Sequence, residues 1–193
     1  MPDIRAVAVF CGSRTGNDPA YRTAAQALGR GLAEAGIKLV YGGGRIGLMG
    51  VLADAALDAG GAVLGIIPEF LMRREVAHER LTEMEVTDSM HSRKQRMFQA
   101  ADAFVTLPGG IGTLDETVEI LTWRQLNLHT KPILICDVAG SATPFVAAVE
   151  AAIAGGFARP STRDLFEVLD GVPAVLRRLT LLPRAAQSEA ARL

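Results

Sequence analysis

Seven short runs rich in Val, Ile and Leu recur along the chain, at residues 4–10, 38–41, 62–67, 83–86, 103–107, 132–136 and, more weakly, 165–169. Stretches with helical spacing separate most of them, at 19–34, 47–59, 88–101, 113–126 and 143–155, with a last one at 172–179. Strands joined through helices are parallel strands, because a parallel neighbour can be reached only by a crossover. Most runs lack polar alternation, which matches strands covered on both faces. The expectation is an α/β chain with a doubly wound parallel sheet in three layers. Right-handed crossovers then bring the turns that follow the strands to one edge of the sheet, where open sheets bind ligands.

No linker divides the 193 residues, so residues 1–182 read as one domain and the Ala-rich end, 183–193, as a frayed tail. Residues 69–79, with Arg73, Arg74 and Glu75, lack periodicity and read as a loop or short helical excursion. A net charge of -1 offers no broad attraction to nucleic acid or to a membrane, so neither is an expected partner. Cys11 and Cys136 make neither a disulfide framework nor a zinc spacing, and His78, His91 and His129 form no metal pattern. No metal site is expected. The N-terminus lacks the features of a signal peptide, and no apolar run reaches the roughly 20 residues needed to span a bilayer. A cytoplasmic location follows.

Two glycine-rich turns follow apolar runs and open helices: Gly42-Gly43-Gly44-Arg45-Ile46-Gly47-Leu48-Met49-Gly50 and Pro108-Gly109-Gly110-Ile111-Gly112-Thr113-Leu114-Asp115-Glu116. Such turns bring backbone amides close to an anion at a positive helix end, so both suggest phosphate. The first contains G-x-G-x-x-G, the fingerprint of a nicotinamide-dependent oxidoreductase. That fingerprint belongs to the first βα turn, yet here it follows the second run, and Pro68 precedes the candidate ribose-binding Glu69. The lysine of a P-loop is absent. In the second turn Thr113 and Glu116 have capping-box spacing. The preceding Pro-Gly-Gly-x-Gly exceeds what a cap requires, and a carboxylate one turn inside a phosphate-binding helix end can reach the attached sugar.

Asp88 and Ser89 are good N-cap residues for a helix that places Arg93, Lys94 and Arg96 early. Cations are mildly unfavourable there, so this run marks either a nearby anion or a solvated basic face. Met90 and Met97 share one face, as core packing or as the wall of a base slot. Of the three lysines, Lys38 and Lys131 flank apolar runs and are poorly placed for a Schiff base.

The combination of Met90-His91-x-Arg93-Lys94, the Pro108 to Glu116 turn and the Gly42 to Gly50 turn resembles the Lonely Guy family of cytokinin-activating phosphoribohydrolases. The resemblance runs over residues 11–157. It implies a Rossmann-like fold, a homodimer, no cofactor, and hydrolysis of N6-modified adenosine monophosphates to free base and ribose 5-phosphate. Arg93 and Glu116 match the family's catalytic pair. Glu75, Arg93, Lys94, Gly110, Ile111, Gly112, Thr113, Leu114, Asp115, Glu116 and Thr122 fall on its substrate-contacting positions. Ile111 stands where plant members carry Tyr, and Asp115 where many have Glu, which bears on the preferred base. Relatives have been labelled lysine decarboxylases, a label these residues do not support.

On this pattern an ionised Glu116 stabilises positive charge developing on the ribose and takes a proton from the attacking water. Arg93 positions sugar, base or the carboxylate, its pKa being too high for a proton donor. Amides of Gly110, Gly112 and Thr113 hold the 5′-phosphate, with Lys94 as a partner. The rivals are a non-catalytic nucleotide-binding carrier or sensor and the oxidoreductase.

Overall fold

A computed structural model describes residues 4–72 and 76–183. Glu75, with Arg73 and Arg74, lies outside the described residues, as does the expected tail beyond Pro183. The order is β1 (Ala6–Phe10), α1 (Pro19–Glu34), β2 (Lys38–Tyr41), α2 (Gly47–Asp58), β3 (Val63–Pro68), β4 (Glu83–Thr87), α3 (Met90–Ala100), β5 (Ala103–Thr106), α4 (Ile111–Gln125), β6 (Ile133–Asp137), α5 (Thr143–Ala154), β7 (Glu167–Asp170) and α6 (Gly171–Leu181). Single 3₁₀ segments occupy Glu69–Leu71 and Pro160–Leu165, the first within the aperiodic excursion.

All seven strands pair in parallel in the order β4-β3-β2-β1-β5-β6-β7. The α/β doubly wound sheet expected from the alternation is therefore what forms. Its order reverses between β1 and β5, so the turns leaving those two strands diverge to opposite faces and open a crevice between them.

Alternation along β1 shows how the layers are built. Val7 and Val9 pack on one side with Leu28 and Leu32 of α1, Leu48 and Leu52 of α2, and Val175 and Leu179 of α6. Ala8 and Phe10 pack on the other with Met97 and Phe98 of α3 and Ile120 and Leu121 of α4. Successive side chains of a strand point to opposite faces, and both faces here are dry. Met97, 1% exposed, is core and not the wall of a base slot. No helix among the described residues is long and apolar enough to cross a membrane.

Two buried histidines serve the scaffold. His78 Nε2 lies 3.1 Å from Asp54 Oδ1 while its Nδ1 accepts from the Arg80 amide, and the His78 amide donates to the Gly43 carbonyl. His129 Nε2 lies 2.8 Å from the Ile120 carbonyl oxygen, its Nδ1 accepts from the Lys131 amide, and burial holds its pKa below the ordinary histidine value. No group of three His, Cys, Asp or Glu among the described residues is arranged to hold a metal ion.

Candidate active site

The two glycine-rich turns do different things, and their amides show why. At α2 the Leu48 and Met49 amides donate to the Gly12 carbonyl, at 3.0 and 3.4 Å. A backbone acceptor already occupies that helix end. The glycines of the turn before it are packed against the protein: Gly42, Gly43 and Gly44 are buried, a Cβ on Gly42 would lie 2.0 Å from Arg93 Nη2, and one on Gly47 would lie 2.2 Å from Ser13 C. The expectation of phosphate at this turn is corrected on that ground, because its glycines admit the protein's own groups. The nicotinamide fingerprint loses its physical basis in the same way.

At α4 the situation is reversed. The helix starts at Ile111 with Gly110 as N-cap and no side-chain cap. Thr113 is then the third residue of the helix and Glu116 the sixth, so the expected Thr113/Glu116 capping box does not form. The capping box of this region belongs to α3, where Ser89 and Ser92 satisfy each other's amides. A Cβ on Gly110 or Gly112 would meet nothing within 4 Å, and neither glycine has positive φ. The fold does not need glycine at these two positions. Their bareness leaves room in front of the first-turn amides of a 15-residue helix, which is what an anion requires.

Glu116 faces inward one turn later. Its Oε1 lies 3.6 Å from Arg93 Nη1, with the two side chains 12% and 6% exposed. Arg93 is held by the sheet edge: Nε donates to the Ile66 carbonyl at 3.1 Å and Nη2 to the Gly42 carbonyl at 3.3 Å. Met90 Sδ is 3.9 Å from Nη1. Gly42 thus lacks a side chain because the guanidinium occupies that volume. Cys11 is buried, and its thiol is pushed far above its ordinary pKa by burial first and by the Glu116 charge second. This is a non-nucleophilic cysteine.

The basic run on α3 is neither a free anion site nor a bare solvated face. Lys94 Nζ lies 3.1 Å from Asp115 Oδ2 and 3.2 Å from Glu119 Oε1, and Arg96 makes a two-pronged contact with Glu85. Of the expected α4 residues, Asp115 meets Lys94 and Glu116 meets Arg93, while Thr113 is buried against Gly109. Ile111, 82% exposed, and Leu114 point outward. Thr122 is not part of this cluster. It lies about 13 Å beyond Thr113 along the helix axis, and its hydroxyl donates to the Val118 carbonyl.

A cleft of about 810 Å³ opens at the crevice between β1 and β5. Pro108, Gly109, Gly110 and Ile111 form one wall; Ser13, Arg14, Thr15 and Asn17 form another. The Gly12 amide donates to the Pro108 carbonyl, which zips these two turns together. No sequence motif singled out residues 12–17 for this wall. Their position after the first strand of a doubly wound sheet was the available signal. The lysines lie elsewhere: Lys38 pairs with Glu83, Lys94 with Asp115 and Glu119, and Lys131 donates to the Phe98 carbonyl. None is presented to the cleft as a nucleophilic amine.

The family described as "Possible lysine decarboxylase" matches residues 49–179. A probable cytokinin riboside 5'-monophosphate phosphoribohydrolase of Oryza sativa subsp. japonica is 46% identical over 176 residues, spanning 91% of this chain and 78% of that protein. The cytokinin riboside 5'-monophosphate phosphoribohydrolase of Rhodococcoides fascians is 44% identical over 180 residues, spanning 91% of each. Among solved structures, the molybdenum cofactor carrier protein of Chlamydomonas reinhardtii has a TM-score of 0.67 at 20% identity, covering 91% of this chain and 95% of that one. The last is a likeness of fold.

Proposed function

The chain belongs to the cytokinin riboside 5'-monophosphate phosphoribohydrolase family, and from that premise we propose that it hydrolyses the N-glycosidic bond of N6-modified adenosine 5′-monophosphates. The products are the free base and ribose 5-phosphate. One observation carries the assignment of roles: an uncapped helix end fronted by two bare glycines is followed, five residues on, by a carboxylate held beside a buried arginine. Five residues span about 7 Å of helix, the scale of a ribose 5-phosphate.

In this arrangement the amides at Gly110, Gly112 and Thr113 anchor the phosphate, and the sugar lies along the first turns of α4 with C1′ toward Glu116. Water attacks C1′, the C1′–N bond breaks with its electron pair leaving on the base, Glu116 accepts the water's proton, and the departing base takes up a proton from solvent, to which Glu116 later returns its own. Before that transfer, the carboxylate stabilises the positive charge growing on the ribose. Arg93 orients Glu116 and supplies fixed positive charge, since a guanidinium does not give up its proton at neutral pH.

Anchoring through the phosphate makes remote binding available to align the sugar. AMP and N6-substituted AMP are expected to be cleaved at least about a hundredfold faster than the matching nucleosides. Chromatographic detection of free base from a panel of both kinds checks this. Equal rates on AMP and adenosine exclude the phosphate anchor. Binding of AMP without any release of base identifies a carrier or sensor instead, on the same assay.

We also propose that the protein works as a cytoplasmic homodimer. Ile111, Leu114, Val118 and Leu126 expose apolar surface along α4, and burial of such a stripe by a second copy is the ordinary way to remove it from water. A mass measured in solution is expected at twice the chain's value. A monomer mass at micromolar concentration overturns the assignment.

A further inference from the structure

Two charged contacts run side by side between α3 and α4, and they differ in kind. The inner one joins Arg93 to Glu116 at 3.6 Å, longer than a hydrogen bond. Arg93 is anchored elsewhere, through Nε and Nη2 on the carbonyls of Ile66 and Gly42. Its place is therefore set by the ends of β2 and β3, and its long contact with Glu116 does little to fix α4.

The outer contact has the geometry that the inner one lacks. Lys94, the residue after Arg93, points its ammonium between Asp115 and Glu119, at 3.1 and 3.2 Å. Those acids are four residues apart and so share a face of α4, and Glu116 follows directly after the first. One cation thus spans a full turn of the helix that carries the carboxylate. Lys94 and Glu119 are 16% and 23% exposed, enough desolvation for the pairing to count for more than a surface ion pair. Burial pulls the Lys94 ammonium down, yet the two carboxylates more than offset this and leave its pKa above the ordinary lysine value. The opposite flank of α4 is pinned to the sheet by buried hydroxyls: Thr106 and Thr117 lie 2.9 Å apart, and Thr117 donates to the Thr113 carbonyl.

We propose that Lys94 and Glu119, with Asp115, are positioning residues that hold α4 against α3 and thereby set the separation of Glu116 from Arg93, and that Lys94 is not a ligand of the substrate phosphate. This rests on the phosphoribohydrolase reading of the site. It adds Glu119 to the residues on which the reaction depends, and it gives Lys94 a role acting through Glu116. A displacement of the carboxylate by even 1 Å is enough to cost about a hundredfold in rate.

Steady-state release of base from AMP separates the possibilities, measured for wild type, Lys94→Met, Lys94→Arg, Glu119→Gln and the double variant Lys94→Met/Glu119→Gln. Assays run below the melting transition of each variant. Lys94→Met and Glu119→Gln are each expected to lower kcat about tenfold or more with little change in KM for AMP. The double variant is expected to be no worse than the poorer single one, because Lys94→Met already breaks the contact that Glu119→Gln removes. Lys94→Arg, which still pairs with two carboxylates, is expected to recover most of the rate. A raised KM with unchanged kcat in Lys94→Met makes Lys94 a phosphate ligand and overturns the proposal. So does Glu119→Gln with wild-type kcat, or additive losses in the double variant. A wild type that releases no base from any monophosphate overturns the functional reading itself and this proposal with it, and that result is read before any variant is compared.

Discussion

Glu116→Gln is expected to keep the fold and lose hydrolysis by a factor of about 10²–10⁴. The substitution preserves side-chain size and a carbonyl oxygen facing Arg93 Nη1, and glutamine is as good a helix former as glutamate. Arg93 keeps its bonds to the Ile66 and Gly42 carbonyls, so loss of the partner's charge leaves it anchored. What disappears is the group that takes the water's proton and faces the developing charge on the ribose. KM for AMP should change little, because the phosphate contacts lie a turn away. Circular dichroism and a melting curve establish the fold; release of base establishes the rate. A folded variant with wild-type turnover would reduce Glu116 to a structural role. The alternative of a helix cap is already removed, since Glu116 is the sixth residue of α4 and Gly110 is the N-cap.

Arg93→Ala is expected to abolish turnover, by at least about a hundredfold, and unlike Glu116→Gln to destabilise the protein. Removing the guanidinium deprives two buried carbonyls of their donors and a nearly buried carboxylate of its counter-charge. The cost is about 3 kcal/mol, or roughly 6–12 °C in melting temperature for a chain of this size. Arg93→Lys should regain part of the stability and little of the activity. A single ammonium cannot reach the Ile66 carbonyl, the Gly42 carbonyl and Glu116 as the three-armed guanidinium does. The measurement is kcat at a temperature where each variant is folded, beside its melting curve. Full kcat in a folded Arg93→Ala protein would move Arg93 out of the reaction and leave it a scaffold residue.

The five inner strands were legible because burial on both faces leaves a nearly unbroken apolar run that marks each within a few residues, whereas the edge strands β4 and β7 are exposed or half-buried along their length and carry the weaker patterns. β2 spans Lys38–Tyr41, as the apolar run does. α4 was misplaced by two residues for an instructive reason. Thr113 and Glu116 have the spacing of a capping box, and spacing is all that a local pattern contains. Whether a helix begins at Thr113 or at Ile111 depends on what satisfies the first amides, and α4 begins without a side-chain cap. The same limit explains the Gly42 to Gly50 turn. Its glycines look like those of the Pro108 to Gly112 turn in sequence, yet Gly42 makes way for Arg93 and Gly47 for Ser13, across separations of dozens of residues.

The proposed reacting groups, Arg93 and Glu116, came from the family resemblance carried by the motifs Arg93-Lys94 and Pro108 to Glu116. Their division of labour did not. In sequence, Arg93, Lys94 and Arg96 are three equivalent cations on one helix. In the folded chain they go to three destinations: the sheet-edge carbonyls with Glu116, the Asp115/Glu119 pair, and Glu85. The sequence by itself determined the parallel α/β sheet, because burial periodicity is a local property, and its motifs pointed through the resemblance to Arg93 and Glu116, which the fold brings within 3.6 Å of each other. Only the tertiary structure decided which glycine turn stays open to an anion and which cation stands beside the carboxylate. An amide or a guanidinium is available only if no group from elsewhere in the chain has already taken it.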